Sequence, residues 1–211
     1  MTQINVRTNV KEVTKGLNKI QRKQIPFATS VALNKTGVLV LVGLQRTAAK
    51  TFEGGATPST LRALKPPKGL KGKRHNIIFS TKKDLRTTIF LPDWAANYLK
   101  YQIDGGVRKT SGDGTGVPTK NKRLNKYGNI PGRKSGLKKG KKQFIANIKG
   151  IDGVWERYGS GGRSVRLLIA FESNPSYRKK FSYFETATTM AKVHFKRKLK
   201  LAINQALRTA R

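Results

Sequence analysis

Residues 27–50 read FATSVALNKTGVLVLVGLQRTAAK, and the way this stretch folds decides the architecture around it. Wound as a helix, it carries Phe27, Val31, Val38, Leu41, Val42 and Ala49 on one side and Leu33, Val40 and Leu44 on the other. A helix that is apolar on two sides is either central to a core or shared with another subunit. Phe27, Val31, Leu33, Val38, Val40 and Leu44 are therefore candidates for a contact between copies of the chain. The run Val38 to Val42 alone also fits a strand, because a short apolar run hides its period and β-branched residues favour sheets. Helix is preferred, since the flanks keep a helical period and hold no turn residues besides Gly37 and Gly43.

Upstream, Val10, Val13, Leu17 and Ile20, set against Lys11, Lys15, Lys19, Arg22 and Lys23, predict a helix over about 9–24 that Pro26 divides from the second. Downstream, residues 54–75 turn to Gly, Pro and Lys and read as a basic loop. Residues 76–80 and 86–92 predict a hairpin that turns at Lys82, Lys83 and Asp84. Asp93 then caps a short helix, stopped by Gly105 and Gly106, whose stripe of Trp94, Tyr98 and Tyr101 reads as packing. Residues 107–142 hold 12 Lys or Arg against the single acid Asp113 and read as a Lys-rich extended or disordered arm inserted in the fold.

Three strands are predicted at Gln143 to Lys149, Gly153 to Tyr158 and Val165 to Glu172, the last two joined by a turn at 159–162. From Tyr177 onward one long helix fits, with Phe181, Phe184, Ala187, Ala191, Phe195, Leu199, Ala202 and Ala206 on one face and Lys196, Arg197 and Lys200 on its back. The expectation is a single α+β domain over 1–211. An antiparallel sheet of about five strands packs against N-terminal helices and a long C-terminal helix, with basic loops.

The chain of 211 residues holds 45 Lys or Arg against 10 Asp or Glu, a formal net charge of +35. Such an excess calls for a polyanion, or for a purpose that tolerates self-repulsion. Leu, Ile, Val and Phe occupy 52 positions, a share above the roughly 20% below which a highly charged chain is usually disordered, so a core can form. The absence of cysteine excludes a disulfide scaffold, a thiolate nucleophile and a cysteine-ligated metal. Residues 1–7 lack the apolar core of a signal peptide, and Val38 to Val42, the longest apolar run, is far shorter than a membrane span. A soluble cytoplasmic product with no membrane partner is expected.

Enzyme chemistry is poorly supplied. His75 and His194 stand alone, with no carboxylate or second ligand at a metal-binding spacing. Asp84, Asp93, Asp104, Asp152, Glu156 and Glu172 are scattered singly, and pairing with the many cations is their simplest use. Residues 135–142 lack the leading Gly and the closing Ser or Thr of a phosphate loop, and 159–163 precede a strand where a dinucleotide fingerprint needs a helix. No catalytic residue, metal or cofactor is expected.

What remains is charge on flexible segments. Lys65, Lys68, Lys71, Lys73 and Arg74 lie in the first loop. Lys120, Lys122, Arg123, Lys126, Arg133, Lys134, Lys138, Lys139, Lys141 and Lys142 lie in the second. Lys outnumbers Arg and aromatic residues are nearly missing, which suits non-specific phosphate contact better than base readout or stacking. An acidic protein would satisfy the same charges.

The succession of Phe27 to Thr36, Tyr98 to Gly106, Asn129-Ile130-Pro131, Gly153 to Arg157 and Phe181 to Ala187 before a basic C-terminal helix resembles the phage minor tail protein Z, or tail completion, family. The match spans most of the chain in order, with the Lys-rich interruption at 107–142 departing from it. The resemblance implies a structural virion protein of the tail or head-tail neck, assembled in the host cytoplasm. It would form a homo-oligomeric ring around the DNA channel, with other neck, head or tail proteins and genomic DNA as partners and no catalytic residues. Two other readings stand beside it: a non-specific nucleic-acid-binding protein of ribosome-associated or nucleoid-like kind, and, with least support, a nuclease using converging carboxylates and a divalent metal.

Overall fold

The computed structural model describes residues 3–7, 19–71, 74–110, 114–131 and 142–209, the side chains of residues 4–22 excepted. The fold is mixed helix and antiparallel sheet, as expected. In chain order it runs β1 (Gln3–Arg7), α1 (Lys19–Thr51), α2 (Pro58–Ala63), β2 (Ile77–Ile78), β3 (Arg86–Phe90), α3 (Asp93–Ile103), β4 (Gly106–Val107) and β5 (Thr115–Pro118). It continues through β6 (Gln143–Ile148), β7 (Ile151–Tyr158), β8 (Ser164–Glu172), β9 (Ser176–Tyr177) and α4 (Tyr183–Thr209).

Residues 38–42 are helical, and α1 is longer than its sequence suggests because Pro26 lies inside it. The expected division at Pro26 is therefore corrected. A proline inside a helix costs about 3 kcal/mol through a lost N–H bond and a clash one turn back. Burial of Ala28, Thr29, Ser30, Ala32 and Leu33 in the next two turns keeps the helix continuous. Of the helix expected over 9–24, residues 9–18 lie outside the described residues.

Both apolar sides of α1 are consumed within the chain. On one side Gly37 meets the sheet so closely that a Cβ there would stand 2.8 Å from Thr87 Cγ2. Leu41, Leu44 and Ala48 bury there in one cluster with Ile77, Ile89 and Leu91. On the other side α1 packs along α4, with Ala28 and Ala32 against Ala202 and Ala206 and Gly43 against Met190. Residues 23–51 are long and apolar enough to cross a membrane, whereas the uninterrupted run of five underestimates them because Ala, Thr and Gly between the large residues add little polarity. Here 67% of that apolar window is buried inside the chain.

The hairpin is fastened to α1 by hydrogen bonds as well as by apolar contact. Asn34 Oδ1 accepts from the Ser80 backbone N–H at 2.8 Å and from Thr87 Oγ1 at 2.8 Å. Its Nδ2 donates to Ser80 O at 3.1 Å and reaches Leu70 O at 3.4 Å. One turn earlier, Ser30 Oγ donates to Ser80 O at 2.9 Å. Ser30, Asn34, Ser80 and Thr87 are all buried, so these bonds have no water to replace them.

The expected sheet of about five strands is roughly matched by one of four, β5-β8-β7-β6, and among the described residues two smaller sheets, β1-β3-β2 and β4-β9, stand beside it. The hairpin β2–β3 forms with Ile77 opposite Ile89, and β1 adds to its far side with Ile4 opposite Ile89. The strands predicted from residues 143, 153 and 165 all form, and β7 and β8 turn through 159–163. The Lys-rich arm is partly ordered, since β5 within it pairs with β8 from Thr115–Glu172 to Pro118–Ile169.

Three helical expectations change in detail. The loop over 54–75 contains α2, started by Pro58 with Thr57 Oγ1 accepting from Thr60 N. Asp93 is the first residue of α3 and does not cap it; the cap position is Pro92. The buried side of α3 is Ala95, Leu99 and Ile103, leaving Trp94 and Tyr98 exposed at 43% and 37%, so that stripe is not core packing. In α4, Tyr183 takes the buried place expected for Phe184, and burial raises its phenol pKa above the ordinary value and keeps it neutral.

Replacing Asn34 by Ala leaves the Ser80 N–H and the Thr87 hydroxyl without their acceptor. Urea denaturation should show a loss of about 3 kcal/mol, against less than about 0.5 kcal/mol for Lys35→Ala on the exposed side of the same turn.

Candidate polyanion interface

The first basic loop is held by buried amides, and its cations point outward. Asn76 Nδ2 donates to Ala63 O at 3.0 Å and to Lys65 O at 2.9 Å, and Asn34 holds Leu70 O from the other side. Arg74 N donates to Ile77 O at 2.8 Å, joining the loop to β2. Lys65, Lys68, Lys71 and Arg74 are exposed on this frame, while Lys73 lies outside the described residues. His75 is exposed, with Nε2 3.0 Å from Arg62 O.

The second basic segment is docked by residues 119–131. Thr119 Oγ1 donates to Leu167 O at 2.7 Å and Asn121 Nδ2 donates to the same oxygen at 3.0 Å. Asn125 Oδ1 accepts from Tyr127 N at 2.9 Å and Asn129 N at 3.0 Å, closing the turn. The turn rests on Gly54, where φ is +70° and a Cβ would lie 1.8 Å from Lys126 O, a separation only glycine allows. Lys120, Arg123, Lys126 and Lys142 are exposed and Lys122 is half-buried. Arg133, Lys134, Lys138, Lys139 and Lys141 lie outside the described residues. The two basic segments thus have separate anchors, the first in Asn34 and Asn76, the second in β8 and Gly54.

Between the residues that follow α1, helices α2 and α3, and this turn lies a cavity of about 350 Å³, lined in part by Glu53, Thr60, Tyr98, Gln102, Asn129 and Lys180. Tyr98 Oη sits 3.1 Å from Thr60 Oγ1, a hydrogen bond in which either hydroxyl can donate. Among the described residues no three His, Asp or Glu side chains gather closely enough to hold a metal ion.

A third basic surface lies on α4, where Lys192, Lys196, Arg197, Lys200 and Arg208 are exposed. Sequence reasoning placed Lys196, Arg197 and Lys200 on the back of this helix and passed over Lys192 and Arg208. The signal was available: no Asp or Glu follows Glu185. Acids neutralise little of the charge. The ion pairs among the described residues are Asp84–Arg86 at 3.5 Å, Glu156–Arg166 at 2.7 Å and Glu185–Lys179 at 2.5 Å, all with at least one well-exposed partner.

Glu156 is held below the ordinary glutamate pKa by Gln143 Nε2 at 3.1 Å and then by the Arg166 guanidinium. Its stabilising contribution is present above the ordinary glutamate value and is lost as pH falls through the lowered one; exposure keeps it small.

The residues expected between subunits divide differently. Leu33, Val40 and Leu44 are buried at 1% exposure or less, Val31 and Val38 are half-buried against the chain's own clusters, and Phe27 is 44% exposed beneath Lys82. The reading of Leu33, Val40 and Leu44 as interface residues is corrected, because the chain itself already buries them.

Gly54→Ala should loosen the 119–131 turn, because its new methyl meets a backbone carbonyl and its φ is unfavourable. Limited trypsin digestion should then cut at Lys120, Arg123 or Lys126 several-fold faster than in the native chain. Gly128→Ala, with open space around it, should cost only the ~1 kcal/mol of a left-handed alanine. Comparison with protein-family models, with curated proteins and with solved structures finds no match to this chain.

Proposed function

We propose that the chain is a structural, non-enzymatic subunit of a phage head-tail neck or tail-completion ring, placed in the virion around the DNA channel and contacting neighbouring neck, head or tail proteins and the genome. The observation that carries this reading is the placement of charge: exposed cations on two anchored basic segments and on one face of α4, with few acids to neutralise them. Such surfaces meet phosphate chains by releasing condensed counterions, without reading sequence. A ring that surrounds passing DNA needs that kind of contact, because every stretch of the genome must move through it. The ordered resemblance of segments such as Phe27 to Thr36 and Tyr98 to Gly106 to the tail completion family supports the same reading.

One observation favours the rival, a non-specific nucleic-acid-binding protein of ribosome-associated or nucleoid-like kind. Leu33, Val40 and Leu44 lie in the chain's own core, which removes the apolar argument for a ring. A monomer using the same cations would bind nucleic acid with a steep salt slope of about 0.9 log units per neutralised phosphate.

Light scattering of the purified chain at high salt, then with short duplex DNA, separates the two. A closed oligomer is the expected result; a monomer whose partner is DNA at low salt sinks the ring. Charge reversal at Lys138, Lys139, Lys141 and Lys142 should leave circular dichroism unchanged while impairing assembly or DNA retention.

A further inference from the structure

Along α4 one surface is at once basic and apolar. Val193, Leu201 and Leu207 are 63%, 55% and 45% exposed, and Lys196, Arg197, Lys200 and Arg208 are exposed among them. At 100° per residue, Val193, Lys200 and Leu207 repeat every seven positions on the side opposite Ala187, Ala202 and Ala206, which are buried. Leu201 lies about 80° round the helix from Val193, at the edge of that side, so the three exposed apolar groups bound an arc of about 120° over about four turns, or ~21 Å.

We propose that this face of α4 docks an acidic amphipathic helix of a different protein, an inference that rests on the reading that the chain's basic surfaces meet neighbours in an assembly. Two terms favour that occupant together. Covering Val193, Leu201 and Leu207 takes their apolar surface out of water, and carboxylates flanking them face Lys196, Arg197, Lys200 and Arg208. Duplex DNA satisfies the second term alone, since its phosphate backbone leaves the three apolar groups in water. A second copy of α4 would set Lys200 and its neighbours against their own like charges, and residues 9–24 of the chain carry Lys and Arg as well. A lipid surface needs a broader apolar face than α4 can turn outward, because its alanine side is already locked against Ala28 and Ala32.

The test uses the full chain with three probes. One is a fluorescent helical peptide of about three heptads, with Leu at a and d and Glu at e and g. The others are a short duplex DNA and vesicles of mixed phosphatidylserine and phosphatidylcholine. V193A/L201A/L207A should weaken peptide binding about tenfold while leaving duplex affinity within about twofold, and K196E/R197E/K200E should abolish peptide binding. Leu201→Gln alone supplies the same comparison if the triple alanine variant loses helicity. Peptide affinity unmoved by these apolar changes, equal losses for peptide and duplex, or vesicle binding stronger than peptide binding would each overturn the assignment. The ring is judged separately by mass: a monomer that still binds the peptide through α4 keeps this proposal and removes the ring.

Discussion

The Asn34 carboxamide, with the Ser30 hydroxyl one turn earlier, fixes the first long helix to its hairpin. Asn34 projects from the middle of the first long helix and takes both the backbone N–H of Ser80 and the hydroxyl of Thr87, while its own amide returns to Ser80. Apolar contact alone would let the hairpin slide along the helix, since burial is non-directional. Hydrogen bonds with a buried donor and acceptor do not slide. They fix the height at which Gly37 passes Thr87, and hence where the hairpin lies along the helix. The first basic loop hangs from the same residue through Leu70, so the geometry of one charged surface is set by the core.

The parts of the fold legible in the sequence were those whose signals are local. The C-terminal helix announces itself by its period, and β6, β7 and β8 by β-rich runs bounded by glycine turns. The hairpin was legible for the same reason. What escaped depends on residues distant in the chain. Gln3–Arg7 is a strand because residues 86–90 offer it an edge, and nothing within five residues says so. Pro26 stays helical because later residues are buried against Ala202 and Ala206, more than 170 positions away. Trp94 and Tyr98 share a helical face, as their spacing requires, but the smaller Ala95 and Leu99 face the core, which spacing alone cannot rank.

The candidate site was legible as composition and only partly as geometry. Lys68, Lys71, Arg74, Lys120 and Arg123 were identifiable as exposed cations because long charged side chains rarely survive burial unpaired. The anchors that give those cations fixed positions, Asn76, Asn125 and Gly54, carry no charge and draw no attention in a sequence. For α1 the two apolar sides left a core position and a shared interface both open, and the helix takes the first, sandwiched between a sheet and another helix of the same chain.

That sandwich has a consequence for how the protein comes into being. The inner helix is complete after 51 residues, whereas the helix that covers its second side begins at residue 183. During synthesis, the alanine seam and Gly43 must wait for most of the chain to emerge while a segment with the composition of a membrane span stands half covered. Contacts so distant in sequence also form slowly after release. Until that cover arrives the second side of the segment faces water, and the crowd of positive charges around it helps keep nascent copies apart.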